Sequence, residues 1–129
     1  MPRAATPAIS PFFVVGDVGR SIAFYRDRLG FEVTFQQPEE APFFAIVARD
    51  GAQLFLKSEA GFEAIPNSTR HRHLRLDAWV YAPDPDALAA EFAAAGTAFS
   101  SPLCDTHDGQ RGFEVKDPDG HVLFFGRPR

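Results

Sequence analysis

Four places in the chain carry residue types able to do chemistry. His71 and His73 alternate within a run that also holds Arg70, Arg72 and Arg75. Alternate imidazoles are a spacing that can hold a metal, but neighbouring guanidinium groups repel a cation, and a solvated basic strand end is the competing reading. His107 stands between Asp105 and Asp108 with Cys104 close by. These types can also ligate, yet Thr106-His107-Asp108-Gly109 has the composition of a turn, and local sequence places no base beside Cys104. Asp77 opens an apolar run. It can pair with a cationic ligand, or act as a base if burial among rings raises its pKa; a salt bridge with Arg75 is the structural alternative. The fourth feature is aromatic: 14 Phe against one Trp and two Tyr, enough to ask whether some rings line a pocket. The chain shows no Ser-His-Asp order, phosphate-cradling Gly loop or CxxC pair.

The elements that must position these residues come in two copies. Asp50-Gly51-Ala52-Gln53-Leu54-Phe55 returns as Asp119-Gly120-His121-Val122-Leu123-Phe124, each a turn followed by an apolar strand. Self-similarity at a fixed offset points to a duplicated unit. Before each copy an apolar strand ends in an Asp, Asp17 or Asp84, suited to accept orphan backbone N–H groups of a helix start. Val18, Ile22, Tyr25 and Leu29 then recur on one helical face, and Gly30 ends the first helix. In the second copy Pro85 takes the first helical position, Leu88, Phe92 and Ala95 form the stripe, and Gly96 stops it. Strands are expected at Phe31 to Phe35, Pro42 to Ala48, Gln53 to Lys57, Leu74 to Tyr81, Thr97 to Ser101, Arg111 to Lys116 and His121 to Gly126. The fold class is α+β: a βαβββ module at about 8–58, a linker at about 59–72, and a second module at about 73–127, all within one domain.

Alternation along these strands separates two faces. Phe13, Val15, Leu54, Leu56, Ala78, Val80, Leu123 and Phe125 form a wholly apolar set for the helices to cover. The opposite set mixes Ser10, Phe12, Val14, Gln53, Phe55, Lys57, Asp77, Trp79, Tyr81, Val122 and Phe124. A sheet face merely wetted by solvent rarely carries so many rings, and contiguous apolar area marks a binding or association surface. This face is read as a ligand cup, a dimer interface, or both.

The bulk properties narrow the partners. At 129 residues the chain should bury roughly two-thirds of its unfolded surface as one domain. A net charge of −4 argues against nucleic acid and anionic membranes as partners. The lone cysteine rules out an intrachain disulfide, residues Met1 to Ser10 lack an apolar signal core, and no run reaches bilayer length. A cytoplasmic location is the expectation.

Two stretches resemble the vicinal oxygen chelate superfamily of glyoxalase I, bleomycin resistance proteins and extradiol dioxygenases. They are Gly16-Asp17-Val18 with Ser21-Ile22-Ala23-Phe24-Tyr25 and Leu29-Gly30-Phe31, and Gln110-Arg111-Gly112-Phe113-Glu114-Val115 leading into Asp117-Pro118-Asp119-Gly120-His121. The resemblance implies two βαβββ modules curling into an eight-stranded cup with helices outside, in a homodimer. It also implies four metal-ligand positions in the family's enzymes, which correspond here to Ser10, Phe55, Asp77 and Phe124. Only Asp77 offers a strong donor, since a phenyl ring offers none; His121 points by alternation to the other face. No metal or other cofactor is therefore expected. The nearest branch implied is that of the bleomycin resistance proteins, which sequester a drug without chemistry. The loop at Thr106 to Gly109 lacks the aromatic residue that branch often carries, so the implied ligand is an aromatic or extended small molecule other than bleomycin. Phe12, Phe55, Trp79 and Phe124 would supply stacking area, while Gln53 and Asp77 would orient polar groups. The competing readings are a glyoxalase- or dioxygenase-type enzyme drawing a metal from His71, His73 or Glu114, and an association module whose aromatic face is covered by a second copy.

Overall fold

The computed structural model of the chain describes residues 2–129. The first module runs β1 (Phe12–Val14), α1 (Val18–Leu29), β2 (Glu32–Gln37), β3 (Phe44–Arg49) and β4 (Ala52–Lys57). After a connection holding a single 3₁₀ turn at Asn67–Thr69, the second runs β5 (Ala78–Tyr81), α2 (Pro85–Ala94), β6 (Ser101–Asp105), β7 (Gln110–Lys116) and β8 (Val122–Pro128). The strands form two four-stranded mixed sheets, ordered β1-β4-β3-β2 and β5-β8-β7-β6. In each, the first strand pairs in parallel with the last and the remaining pairs are antiparallel. Among the described residues no ladder joins the two sheets, so eight strands make two open halves rather than a closed surface. Among the described residues no helix is long and apolar enough to cross a membrane.

Local chemistry accounts for both helices. The Asp17 side chain accepts from Arg20 N at 3.1 Å, and Asp84 accepts from Ala87 N at 3.0 Å, so each start has one of its orphan donors satisfied. Gly30 closes α1 at φ 69° and Gly96 follows α2 at φ 83°, a backbone region costly for residues bearing a Cβ. The α1 stripe of Val18, Ile22, Tyr25 and Leu29 is fully sequestered. In α2 only Phe92 of the expected stripe is buried, joined by Ala89, while Leu88 and Ala95 are half-buried.

Two strands differ from expectation. Residues 97–100 precede β6 rather than form it, because Thr97 is held at the helix ends: its N–H donates to Phe92 O and its hydroxyl to Arg28 O at 2.7 Å. Residues 74–77 are not yet strand. The linker folds back on them, with the Asn67 amide donating to Leu76 O at 2.8 Å, and Leu74 stays 72% exposed.

One core spans both modules, combining Phe13, Val15, Leu54 and Leu56 of the first sheet with Phe113, Val115, Leu123 and Phe125 of the second. This is the apolar set that strand alternation assigns to the helix side. The modules are stitched at Asp117, whose side chain is wholly buried. Its carboxylate accepts from the Tyr25 hydroxyl of α1 at 3.0 Å, from the backbone N–H groups of Asp119 and His121, and pairs with His121 Nδ1 at 2.9 Å. The His121 ring in turn stacks on Phe13 of β1, 4.2 Å between centroids and 2° from parallel. Burial and the Asp117 carboxylate together raise the Tyr25 phenol well above its usual pKa, so it remains a donor. Nearby, Asp119 accepts from Gly16 N at 2.9 Å and from Arg20 at 3.2 Å.

Removing this carboxylate should be costly. Asp117→Asn leaves donors from both modules without their charged acceptor, and urea denaturation should show a loss of about 2–4 kcal/mol; a loss below about 1 kcal/mol would mean that the network does not hold the modules. His121 adds a pH signature. Burial lowers its pKa, but the hydrogen bond and charge of Asp117, with Asp77 and Asp119 behind, outweigh that and raise it. A raised folded pKa gives stability that is complete below the ordinary imidazole value near ~6.5 and is lost as pH climbs through the folded value. The denaturation midpoint should therefore fall from about pH 6.5 upward, and His121→Gln should flatten that slope.

Candidate functional site

Each sheet turns one face to its helix; the other is open on the first sheet and, on the second, open along β5 but covered along β8. On the first sheet the open face is a cluster of four phenyl rings. Phe12 of β1 lies 5.9 Å from Phe55 of β4 and 6.3 Å from Phe44 of β3, and Phe44 lies 5.8 Å from Phe55 and 5.9 Å from Phe35 of β2. The ladder produces this row directly, since Phe12 registers with Phe55 and Phe55 with Ile46. Phe12 is 57% exposed and Phe35 46%, values far from a buried core. At the edge of the cluster the Gln53 amide donates to the Ser10 hydroxyl at 3.1 Å.

The open face of the second sheet is amphipathic. Trp79 and Tyr81 of β5 stand 6.3 Å apart and remain 45% and 61% exposed. The Trp79 indole N–H donates to Gln110 Oε1 at 2.7 Å, which holds the ring while it stays partly exposed. Phe124 registers between Trp79 and Glu114. Its ring lies over Gly112 and Gly126, filling space that a Cβ on either residue would need: such a carbon would come within 2.5 Å of the ring. The ring is thereby covered to 7% exposure. Beside it, Glu114 is clamped by Arg75 at 2.5 Å, so this carboxylate enters the face already neutralised.

The remaining sequence candidates fall elsewhere. Asp77 has one oxygen on Asn67 N at 2.9 Å and the other on Val122 N at 2.8 Å. It ties the linker to β8, and Arg75 pairs with Glu114 instead of with it. His71 and His73 are exposed in irregular chain. His107 is exposed beside a Thr106–Asp108 hydrogen bond, and Cys104 lies on β6 opposite Gly112. Among the described residues no group of three or more His, Cys, Asp or Glu gathers where it could hold a metal ion. The four positions that hold metal in related enzymes do not suit one here: Ser10 receives Gln53, both Asp77 oxygens have backbone partners, and Phe55 and Phe124 present carbon.

Phe35 and Phe44 join the aromatic face although strand alternation in the sequence did not single them out. A register shift between Val33 and Phe35 re-aims β2, and β3 is apolar on both sides, so period-2 reading assigns neither ring to a face. Gln110 was also missed, because its contact with Trp79 bridges distant segments.

A family model for the Glyoxalase/Bleomycin resistance protein/Dioxygenase superfamily matches residues 8–125. The chain belongs to this superfamily. Its solved structural relatives include a bleomycin-binding protein from bleomycin-producing Streptomyces verticillus complexed with copper(II)-bleomycin. That protein is 26% identical, with a TM-score of 0.72 over 98% of this chain and 100% of the relative. TioX from Micromonospora sp. ML1 is 20% identical, with a TM-score of 0.75 over 96% of this chain and all of TioX. A further bleomycin-binding protein complexed with bleomycin is 18% identical, with a TM-score of 0.73 over 96% of this chain and all of the relative. No curated protein matches the chain. For this superfamily member, as for the others, the fold positions the site and the side chains on it decide the function.

The glycine shelf under Phe124 is testable by itself. A methyl at Gly112 would meet both the Phe125 carbonyl oxygen and the Phe124 ring, so Gly112→Ala should cost about 1–3 kcal/mol in denaturant unfolding. It should also shift the emission of Trp79, the neighbour of Phe124; wild-type stability and spectrum together would show that the ring does not rest there.

Proposed function

We propose that this protein binds and sequesters a small, partly aromatic molecule without a metal ion, and that it works as a homodimer. The observation that carries the reading is the open aromatic surface: Phe12, Phe35, Trp79 and Tyr81 remain well exposed on sheets whose other faces pack into the shared core. Leaving about half of each ring in water forgoes stabilisation of about 1 kcal/mol each, a cost that a ligand or a second copy would offset. Phenyl rings at Phe55 and Phe124, where enzymes of this fold need anionic donors, support binding over metal-assisted turnover. The bleomycin-binding relatives support a small molecule as the ligand class. Phe12 and Phe55 would supply apolar contact and Trp79 a stacking face, with Gln53 and Gln110 orienting polar groups. Phe124 would act from beneath by setting the position of Trp79, and Asp77 by anchoring β8. A second copy covering part of the first sheet's phenyl cluster would complete the enclosure.

Titration of the only tryptophan tests this. Planar drugs and small aromatic metabolites should change Trp79 emission saturably, one ligand per site, with unchanged affinity in a chelator. Trp79→Ala should weaken calorimetric binding by roughly three- to tenfold. A preparation that carries stoichiometric metal and turns over substrate only with it would sink the reading. Phe35→Asp, on the exposed ring farthest along the cluster, should move the protein from dimer to monomer in light scattering; a monomeric wild type would refute the assembly.

A further inference from the structure

The polar groups around Trp79 are sorted by hydrogen-bond sense. An indole N–H can only donate, so Gln110 meets it with Oε1 at 2.7 Å and keeps its amide N–H groups for another partner. Glu114 shares that face, because β7 pairs with β8 without a register shift and residues four apart on a strand point the same way. Its Oε1 takes Arg75 Nη2 at 2.5 Å and lies 3.4 Å from the Ser100 hydroxyl. Asp77 has each oxygen on a backbone N–H. Most acceptors around the rings are thus engaged, whereas donors are in excess. The excess is largest at Arg75. Among the described residues its guanidinium bonds only to Glu114, through Nη2, which leaves Nη1 and Nε as donors.

The placing of Arg75 is fixed by its neighbours. It precedes β5 in a segment held by the Asn67 side chain, which donates to Leu76 O at 2.8 Å, and by Asp77, which accepts from Val122 N at 2.8 Å. Glu114 then draws the guanidinium onto the sheet, where the two side chains are 36% and 13% exposed. The pair stands beside the row in which Trp79 registers with Phe124 and Phe124 with Glu114. A planar donor fork therefore lies next to the exposed indole, its charge balanced by Glu114, so it requires an acceptor and not a full counter-charge.

We infer that Arg75 determines specificity on this face, selecting an aromatic ligand that carries a neutral acceptor, a carbonyl oxygen on the ring, over one that carries a cation. The inference rests on the binding function proposed above and gives that site its polar preference; the apolar contacts of Phe12 and Phe55 stay as assigned there. Trp79 takes the ring plane, Arg75 donates to the carbonyl oxygen, and the Gln110 amide is a second donor for a longer ligand.

Three naphthalenes of similar size test this by calorimetry on the full chain: 2-acetylnaphthalene, 2-ethylnaphthalene and the cationic 2-(aminomethyl)naphthalene. The ketone should bind at least about threefold tighter than the hydrocarbon, and the ammonium compound most weakly. Glu114→Gln keeps an acceptor for Arg75 while removing the charge that balances it, and should strengthen ketone binding about two- to threefold. Arg75→Met combined with Glu114→Gln leaves no unpaired charge, and should erase the preference for the ketone while 2-ethylnaphthalene binds as before. These two variants differ only at Arg75. If the ion pair served only to hold the linker, both would weaken all three compounds alike, and the inference would be wrong. The carbonyl stretch of the bound ketone should also lie at lower frequency with Arg75 present than in the double variant. Equal affinity of the wild type for ketone and hydrocarbon, or tightest binding of the ammonium compound, would refute the inference and leave the binding function standing. Absence of binding by all three would refute it as well; the binding function falls with it only if planar drugs and aromatic metabolites also leave Trp79 emission unmoved.

Discussion

The fold depends on a buried carboxylate. Asp117 is contributed by the turn between β7 and β8, yet it gathers the Tyr25 hydroxyl from α1 and the imidazole of His121, whose ring is stacked on Phe13 of β1. A charge taken out of water is costly unless hydrogen bonds replace its hydration. Four donors converge on this one, three from its own turn and one, the Tyr25 hydroxyl, from the first module, so its hydration is fully replaced only when the modules dock. Two βαβββ units, each too small to bury a full core, therefore share one. Arg49 and Glu91, Arg28 and the Ala95 carbonyl, and Thr97 and the Arg28 carbonyl reinforce the same junction nearer the surface.

That docking geometry explains which sheet faces stay exposed. Using the helix-side faces of both sheets to build the shared core leaves the opposite faces without cover. Sheets with one buried and one open face normally alternate apolar with polar residues; here the open faces carry rings instead. The first is a uniform phenyl cluster. The second is a mixed surface in which Gln110 orients Trp79, Arg75 neutralises Glu114, and two glycines let Phe124 lie flat.

Much of this was legible in the sequence, and the reasons are local. Asp17 and Asp84, Gly30 and Gly96, Pro85 and the repeated Asp-Gly turn mark where helices start and stop, because caps and turns act over three or four residues. Strict alternation at Phe13, Val15, Leu54 and Leu56 sorted buried from open faces. Where alternation failed, so did the reading. The register shift in β2 hid Phe35, the two-sided apolarity of β3 hid Phe44, and the side chain of Asn67 turned residues 74–77 away from the strand that their composition suggested.

By itself, then, the sequence determined the duplicated α+β architecture and the apolar set that forms the core, which follow from residue type and period alone. That Phe55 and Phe124 stand at carboxylate positions is what the family resemblance implies. Only the tertiary structure decided the duties of individual polar groups. Asp77 receives two backbone N–H groups, His121 completes the buried junction, and the Phe124 ring lies over Gly112 and Gly126. A carboxylate, imidazole or ring acquires its role from whichever donors and surfaces distant segments bring within about 3–4 Å, and that proximity is a property of docking, not of spacing along the chain.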